Sequence, residues 1–369
     1  MRVHFIGIGG VGVSALAEIA IAIGDIVSGS DRAAGPITER LARRGVNVSI
    51  GHSADTIRAI QPELVVYSAA IPEDNEERKA AVESGIPTIS RSSCLGLLMD
   101  EAPAPRIAIA GTHGKTTTTS MVGAVLVHLG LDPMVLIGGD FGPFGGNIRL
   151  GGGPFVTEAC EAFRSFLDLR PDIAVITNVE KDHLDCYGDI DGVVAGFQAF
   201  VSGIREGGTL VLWHDDPRAG LLRATAEARG IRVVPYGIGP SSDRLLWADS
   251  TEETIGGVTA AVSWATEPIA DHGSGDRASA SCELRLGMPG VHNILNALAA
   301  LGVAYACGAN IGDAAEALHG FRGVERRFEV LGTRDGVTVV DDYAHHPTEI
   351  AATIAAARGA YPGQRLIAV

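Results

Sequence analysis

Short apolar runs alternate along this chain with stretches in which apolar residues return every three or four positions. Residues 3–8 read as a buried strand, 13–23 as a helix, 25–30 as a second strand, 37–44 as a helix and 46–50 as a third strand. An apolar strand at 64–68 and a charged helix at 76–84 follow. Apolar runs of strand length suit a sheet covered on both faces, and the helices between them supply the crossovers that parallel strands need. The pattern predicts an α/β fold whose first part is a Rossmann-like doubly wound sheet.

Residues 100–105 (DEAPAP) interrupt this rhythm: two acids precede prolines that cannot extend a helix, and the stretch reads as a linker. The rhythm restarts with a strand at 106–110 and continues through strands at 155–157, 173–177, 209–212 and 232–234. Residues 257–264 and 280–286 read as an antiparallel addition, and helices follow at 292–305 and 311–318. After Arg326 and Arg327 a further unit opens with a strand at 337–340, a helix at 347–360 and a strand at 365–369.

The 369 residues correspond to about 2.5 domains of ordinary size. Apolar residues make up 46% and charged residues 20%, which excludes whole-chain disorder. Glycine contributes 48 residues, well above the usual ~7%, and with no collagen-type period it points to tight turns and phosphate-type loops. A net charge of −15 argues against a nucleic-acid or membrane-surface partner, which would need a basic face, but leaves small anions open. The five cysteines are widely spaced and form no CxxC pair, so a reducing cytoplasm is expected rather than a disulfide framework. The start, broken by glycines, lacks the long apolar core expected of a signal peptide, and no run reaches the ~18 apolar residues of a membrane span.

Two glycine loops carry the first chemistry. GIGGVG at 7–12 closes a strand and opens a helix, so Gly7, Gly9, Gly10 and Gly12 allow a phosphate close to a helix N-terminus, and Asp31 ends the next strand. Dinucleotide binding and a glycine turn needed only for packing are both open readings of this motif. The second loop is more specific. Gly111, Thr112, His113, Gly114, Lys115, Thr116 and Thr117 follow an apolar strand and precede an apolar helix. Such a P-loop wraps a polyphosphate in backbone N–H groups, with Lys115 on the β- and γ-phosphates and the Thr116 hydroxyl on Mg2+. Its first glycine stands three residues before Gly114, not five as in the usual pattern. Glu158, with Glu161 nearby, and Asn178 and His183 lie beyond strands of the same expected sheet, where α/β proteins gather ligands. Glu158 suits an oxygen-seeking Mg2+ near Thr116, with Glu161 as a reserve. Asn293 and Asn296 share a helix face, where they can meet a nucleotide, and Asp342 opens a helix after a strand.

In order, HFIGIGGVGVSALAEIA, GSD at 29–31, VVYSAAIPEDN, GTHGKTTTTSM, TEACEAFRSFL, ITNVEKDHLD, MPGVHNILNALAA, RGVERRFEVLG and VDDYAHHPTEI resemble the Mur ligase family over essentially the whole chain. The resemblance implies three domains: a UDP-sugar-binding Rossmann-like domain at 1–104, a central P-loop ATPase domain at 105–328, and an incomplete amino-acid-binding Rossmann-like domain at 329–369. A full member would continue for about 100 residues more. The implied reaction joins L-alanine to the carboxylate of UDP-N-acetylmuramate through an acyl phosphate, with ATP and Mg2+, in peptidoglycan precursor synthesis. Its alternatives are tripeptide recycling onto the same sugar nucleotide, or a nucleotide-binding fragment without ligase activity. The glycine loop at 7–12, with Asp31 and Ser68, then serves the UDP-sugar diphosphate rather than NAD. Lys115 would stabilise the transferred phosphoryl group, Thr116 and Glu158 would hold one Mg2+, and His183 a second. Asn293, Asn296 and Arg327 would contact the nucleotide, with Asp342 and His345 joining when the domains close. The EACE run departs from the EADESD form of many members.

Overall fold

The computed structural model describes residues 1–254, 256–266 and 279–369. The chain divides into two units, Met1–Glu101 and Ala102–Val369.

In the first unit the strands are β1 (Arg2–Ile6), β2 (Ile26–Asp31), β3 (Asn47–Ile50), β4 (Leu64–Tyr67) and β5 (Thr88–Ser90). The helices between and after them are α1 (Val11–Ala22), α2 (Pro36–Arg43), α3 (Ala54–Ile60), α4 (Glu76–Glu83) and α5 (Arg91–Glu101). The sheet is wholly parallel, in the order β3-β2-β1-β4-β5. Phe5, Ile6, Leu16, Ile19, Leu41 and Ile57 are sealed inside it. The order reverses between β1 and β4, and that switch opens a crevice at the carboxyl ends of these strands.

The second unit begins with β6 (Arg106–Ala110), α6 (Lys115–His128), β7 (Met134–Phe141), β8 (Gly146–Arg149), β9 (Phe155–Glu158) and β10 (Ile173–Ile176). It continues with α7 (Leu184–Tyr187), α8 (Ile190–Ser202), β11 (Thr209–Trp213), α9 (Ala219–Glu227), β12 (Arg232–Ile238), β13 (Leu246–Thr254), β14 (Gly257–Ala265) and β15 (Ser279–Leu286). Then come α10 (Val291–Ala306), α11 (Ile311–Ala317), β16 (Glu329–Arg334), β17 (Val337–Asp341) and α12 (Pro347–Ala360). One sheet runs β15-β14-β13-β12-β11-β10-β6-β9-β7-β8, parallel from β13 to β7 and antiparallel at both ends. The apolar side of α10 packs against α6 and the sheet, which fixes the two helices beside the phosphate loop.

The structure corrects the sequence reading at several points. Residues 365–369 carry no regular structure, and among the described residues β17 pairs with β16 alone, antiparallel. Asp100 and Glu101 belong to α5 rather than to a linker, because the helix runs on until Pro103 restricts the residue before it. The strands β5, β7, β8, β13 and β16 and the helices α3, α5, α7, α8 and α9 are additional. Gly138 and Gly139 break the apolar pattern of β7, and the polar run DSTEET hides β13.

Candidate functional site

In the first unit, three strand ends meet at the switch point. Gly7 has φ 82°, its N–H bonds Ser30 C=O at 2.8 Å, and a Cβ there would come within 3.2 Å of Ser68 Cβ. Gly9 N–H donates to Asp31 Oδ2 at 2.8 Å, so the strand-end acid shapes the loop itself. Gly10 caps α1. A Cβ at Gly12 would press on Arg91 at 3.2 Å, which places a guanidinium beside the loop that motif reading did not single out. Gly7, Gly9, Gly10, Gly12, Asp31 and Ser68 are thus brought together, with an N-terminal helix turn open to an anion.

In the second unit, residues 111–114 link β6 to α6. Gly111 has φ 134° and Gly114 φ 81°, where L side chains are strained. A Cβ would lie 2.0 Å from Thr177 Oγ1 at the first and 2.4 Å from Asn296 Oδ1 at the second. The loop is tied to the end of β10. Thr112 N–H donates to Asn178 C=O (3.0 Å) and His113 N–H to Asn178 Oδ1 (2.8 Å), while Asn178 Nδ2 donates to His113 C=O (3.1 Å).

Lys115 folds onto its own loop. Its ammonium donates to the carbonyls of Gly111 and Thr112, and to both oxygens of Glu161 at 3.0 and 2.9 Å. Glu161, the reserve metal candidate, therefore holds the loop lysine. Thr116 hydrogen-bonds Glu158, which also accepts from Gly138 N–H. Burial pushes the Glu158 carboxyl above its ordinary range, against Gly138 N–H, Lys115, Thr116 and Arg327, which all favour its charged form. His183, left-handed at φ 49°, caps α7. It clusters with Glu161 and Asp182, one ligand atom of each lying within 4.8 Å of the others.

Asn293 and Asn296 are buried on α10. Asn293 Nδ2 donates to Pro289 C=O (2.7 Å), Asn296 Nδ2 to Asn293 Oδ1 (3.3 Å), and Thr118 Oγ1 to Asn296 Oδ1 (3.3 Å). They line a cavity of about 190 Å³ with His113, Thr117, Arg327 and Asp342. Trp213 and Tyr236 line it too, aromatic surface that no motif announced. Arg327 stands between Arg326 (φ 59°) and Phe328 (φ 50°), two left-handed residues at about 1–2 kcal/mol of strain each. Both are held by bonds: Arg326 N–H to Glu329 Oε2 (2.8 Å), Tyr343 N–H to Arg326 C=O (2.8 Å) and Phe328 N–H to Asp342 Oδ2 (2.9 Å). The other oxygen of Asp342 accepts from Ala344 N–H at 2.8 Å. His345 is exposed and turned to Tyr343 C=O, away from the cavity lining.

Glu349, on α12, was not singled out from the sequence. It accepts from His113 Nδ1 at 3.1 Å and lies 3.9 Å from Arg327 Nη1. Burial raises its carboxyl, but the bonds from His113 and from His345 N–H, with the charges of His113 and Arg327, outweigh burial and bring it down to about 2. Burial lowers His292, opposed by Asp342 and Glu349. Glu180 and His346, also unselected, meet His113 from the other side.

A strand, glycine loop and helix carrying a half-buried lysine, with a hydroxyl and a half-buried carboxylate at the carboxyl ends of parallel strands, define a P-loop nucleotide-binding α/β protein. Comparison narrows the class. Models described as the Mur ligase family catalytic domain, the Mur ligase middle domain and the Mur ligase glutamate ligase domain match residues 2–102, 155–304 and 326–369. This chain belongs to the Mur ligase family. It is 43% identical over 371 residues to the UDP-N-acetylmuramate–L-alanine ligase of Caldanaerobacter subterraneus subsp. tengcongensis, covering 100% of this chain and 76% of that protein. The same ligase from Mycobacterium avium is 44% identical, covering 97% and 73%. Among solved structures, the UDP-N-acetylmuramate–alanine ligase of Thermotoga maritima matches with a TM-score of 0.80 and 31% identity, over 98% of this chain and 78% of that one. A murein peptide ligase from Psychrobacter arcticus matches at 0.78 and 28%, over 99% and 77%.

Proposed function

We propose that this chain is an ATP-dependent ligase that joins L-alanine to the carboxylate of UDP-N-acetylmuramate in cytoplasmic peptidoglycan precursor synthesis. Full-chain identity of 43% to a ligase of that description carries the reading, and the P-loop geometry supports it. A free carboxylate is a poor acyl donor. Its attack on the γ-phosphate of ATP makes an acyl phosphate, from which the amine of L-alanine displaces phosphate through a tetrahedral intermediate. Phosphoryl transfer needs positioning and charge neutralisation more than covalent help.

Each residue takes a role in that scheme. Gly7, Gly9, Gly10 and Gly12 admit the UDP-sugar diphosphate at the N-terminus of α1, with Asp31 and Ser68 shaping the crevice and Arg91 adding positive charge. The N–H groups of residues 111–117 cradle the ATP phosphates. Lys115 leaves Glu161 to meet the transferred phosphoryl group. Asn293 and Asn296 face the nucleotide in the cavity, and Arg327, positioned by Asp342, adds a second cation; His345 closes over the site from the C-terminal segment. Mg2+ fits Thr116 and Glu158: the donors are oxygens, and the half-buried carboxylate lacks a bonded cation partner among the described residues. When bound, the ion neutralises phosphate charge. His183 sits with two carboxylates, a setting that suits a second ion.

The likeness to the murein peptide ligase favours a second reading, in which a tripeptide replaces L-alanine as the amine. Incubation with ATP, Mg2+, UDP-N-acetylmuramate and either amine, with products weighed by mass spectrometry, separates the two. A tripeptide adduct without an L-alanine adduct overturns the first.

A further inference from the structure

We propose that His113, Glu180 and His346 form a binding site for a divalent transition-metal ion of the Zn2+ class, which clamps the C-terminal segment onto the phosphate loop. The three side chains arrive from separate places: the loop at 111–114, the stretch after β10, and the N-cap of α12. His113 Nε2 lies 3.6 Å from Glu180 Oε2, and His346 Nδ1 lies 3.9 Å from the same oxygen. One ligand atom from each lies within 4.8 Å of the other two. Tetrahedral zinc bonds of about 2.0–2.2 Å set ligand atoms roughly 3.3–3.6 Å apart, so a small closure seats the ion.

The hydrogen bonds already orient both rings for a metal. Glu349 is a carboxylate that only accepts, so His113 Nδ1 donates to it, and Nε2 is the nitrogen that an ion would take, displacing any proton the charged ring carries there. That Nε2 is buried without a hydrogen-bond partner. His346 Nε2 faces the Lys181 carbonyl at 3.3 Å, which puts its proton there and leaves Nδ1 free of one. Nδ1 accepts only a long bond from Thr348 N–H, 3.3 Å, which an ion displaces at small cost. Thr348 Oγ1 anchors Glu180 Oε2 at 2.6 Å. Both imidazoles thus have their outer nitrogens oriented by acceptors, the arrangement that supports metal-bound histidines.

Two histidines and one carboxylate, with a fourth position left to water, select Zn2+ over Mg2+, which takes oxygen ligands. The Thr116–Glu158 pair is the opposite case. The Glu161–Asp182–His183 cluster is a poorer rival because the Lys115 ammonium already occupies Glu161. An ion joining His113 to His346 restrains a loop that must adjust around phosphates, so it inhibits turnover even at saturating Mg2+. This goes beyond the ligase reading, and metal binding is measured without activity.

Co2+, the probe, is titrated into the full chain in excess Mg2+ while its tetrahedral visible absorption is followed. One tight Co2+ per chain, displaced by Zn2+, is expected. His346→Asn keeps a capping oxygen for Thr348 N–H and removes the imidazole, and Glu180→Gln is the independent second variant. Each should weaken Co2+ at least ~100-fold, Glu349→Gln about 10–100-fold, and His183→Gln not at all. Tryptophan-fluorescence melts check that each variant folds. Absence of the band, its survival in both His346→Asn and Glu180→Gln, or its loss only in His183→Gln overturns the proposal.

Discussion

Glu161→Gln removes the carboxylate that accepts twice from Lys115. The pair lies inside the protein, with side-chain exposures of 15% for Lys115 and 2% for Glu161. Breaking a buried pair by deleting one partner costs about 3–5 kcal/mol. Lys115 keeps the carbonyls of Gly111 and Thr112, which places the loss near ~3 kcal/mol. For a unit of this size that lowers Tm by roughly 6–12 °C. The three tryptophans, Trp213, Trp247 and Trp264, all belong to the second unit, so their fluorescence reports its unfolding alone. Lys115→Ala leaves the Glu161 carboxylate bare and should cost as much or more. In the double variant neither charge remains, and its loss should fall short of the summed single losses by about 2 kcal/mol or more. A Tm drop under ~2 °C for Glu161→Gln, or additivity within ~0.5 kcal/mol, refutes the buried pair.

Gly111→Ala places a Cβ 2.0 Å from Thr177 Oγ1 at φ 134°; ATP binding should vanish while UDP-sugar binding to the first unit, measured by calorimetry, persists. Lys115→Ala should abolish ATP-dependent phosphate release and leave UDP-sugar binding intact; joint loss would merge the two sites. Glu349 is held below its ordinary 4.5, at about 2, so its stabilisation is present above pH 4.5 and is lost as pH falls toward 2. Acid titration of tryptophan fluorescence should show that component in the parent and not in Glu349→Gln; identical curves would remove Glu349 from the docking of α12.

The parallel sheets were legible because buried strands such as β6 and β10 are apolar runs bounded by glycine or polar loops, and α12 because Pro347 opens it. The strand β13 was not, since an edge section with one solvated face is largely polar. The phosphate loop was readable from its glycines and Lys115. What the motif leaves unsaid is which acid meets the lysine: Glu158 and Glu161 flank one turn, and only the three-dimensional path assigns Glu161 to Lys115 and Glu158 to Thr116. Glu180, His346 and Glu349 were hidden for the same reason. Their partner His113 lies far away in sequence, and single-residue spacing carries no record of such contacts.

The most direct test of the ligase reading is the mass of the product formed from ATP, Mg2+, UDP-N-acetylmuramate and L-alanine. The account predicts the amide of L-alanine with UDP-N-acetylmuramate, with ADP and phosphate released in equal amounts. Recovery of unchanged UDP-N-acetylmuramate, while calorimetry still shows it bound, would contradict the account and leave a nucleotide-sugar-binding chain without ligase activity.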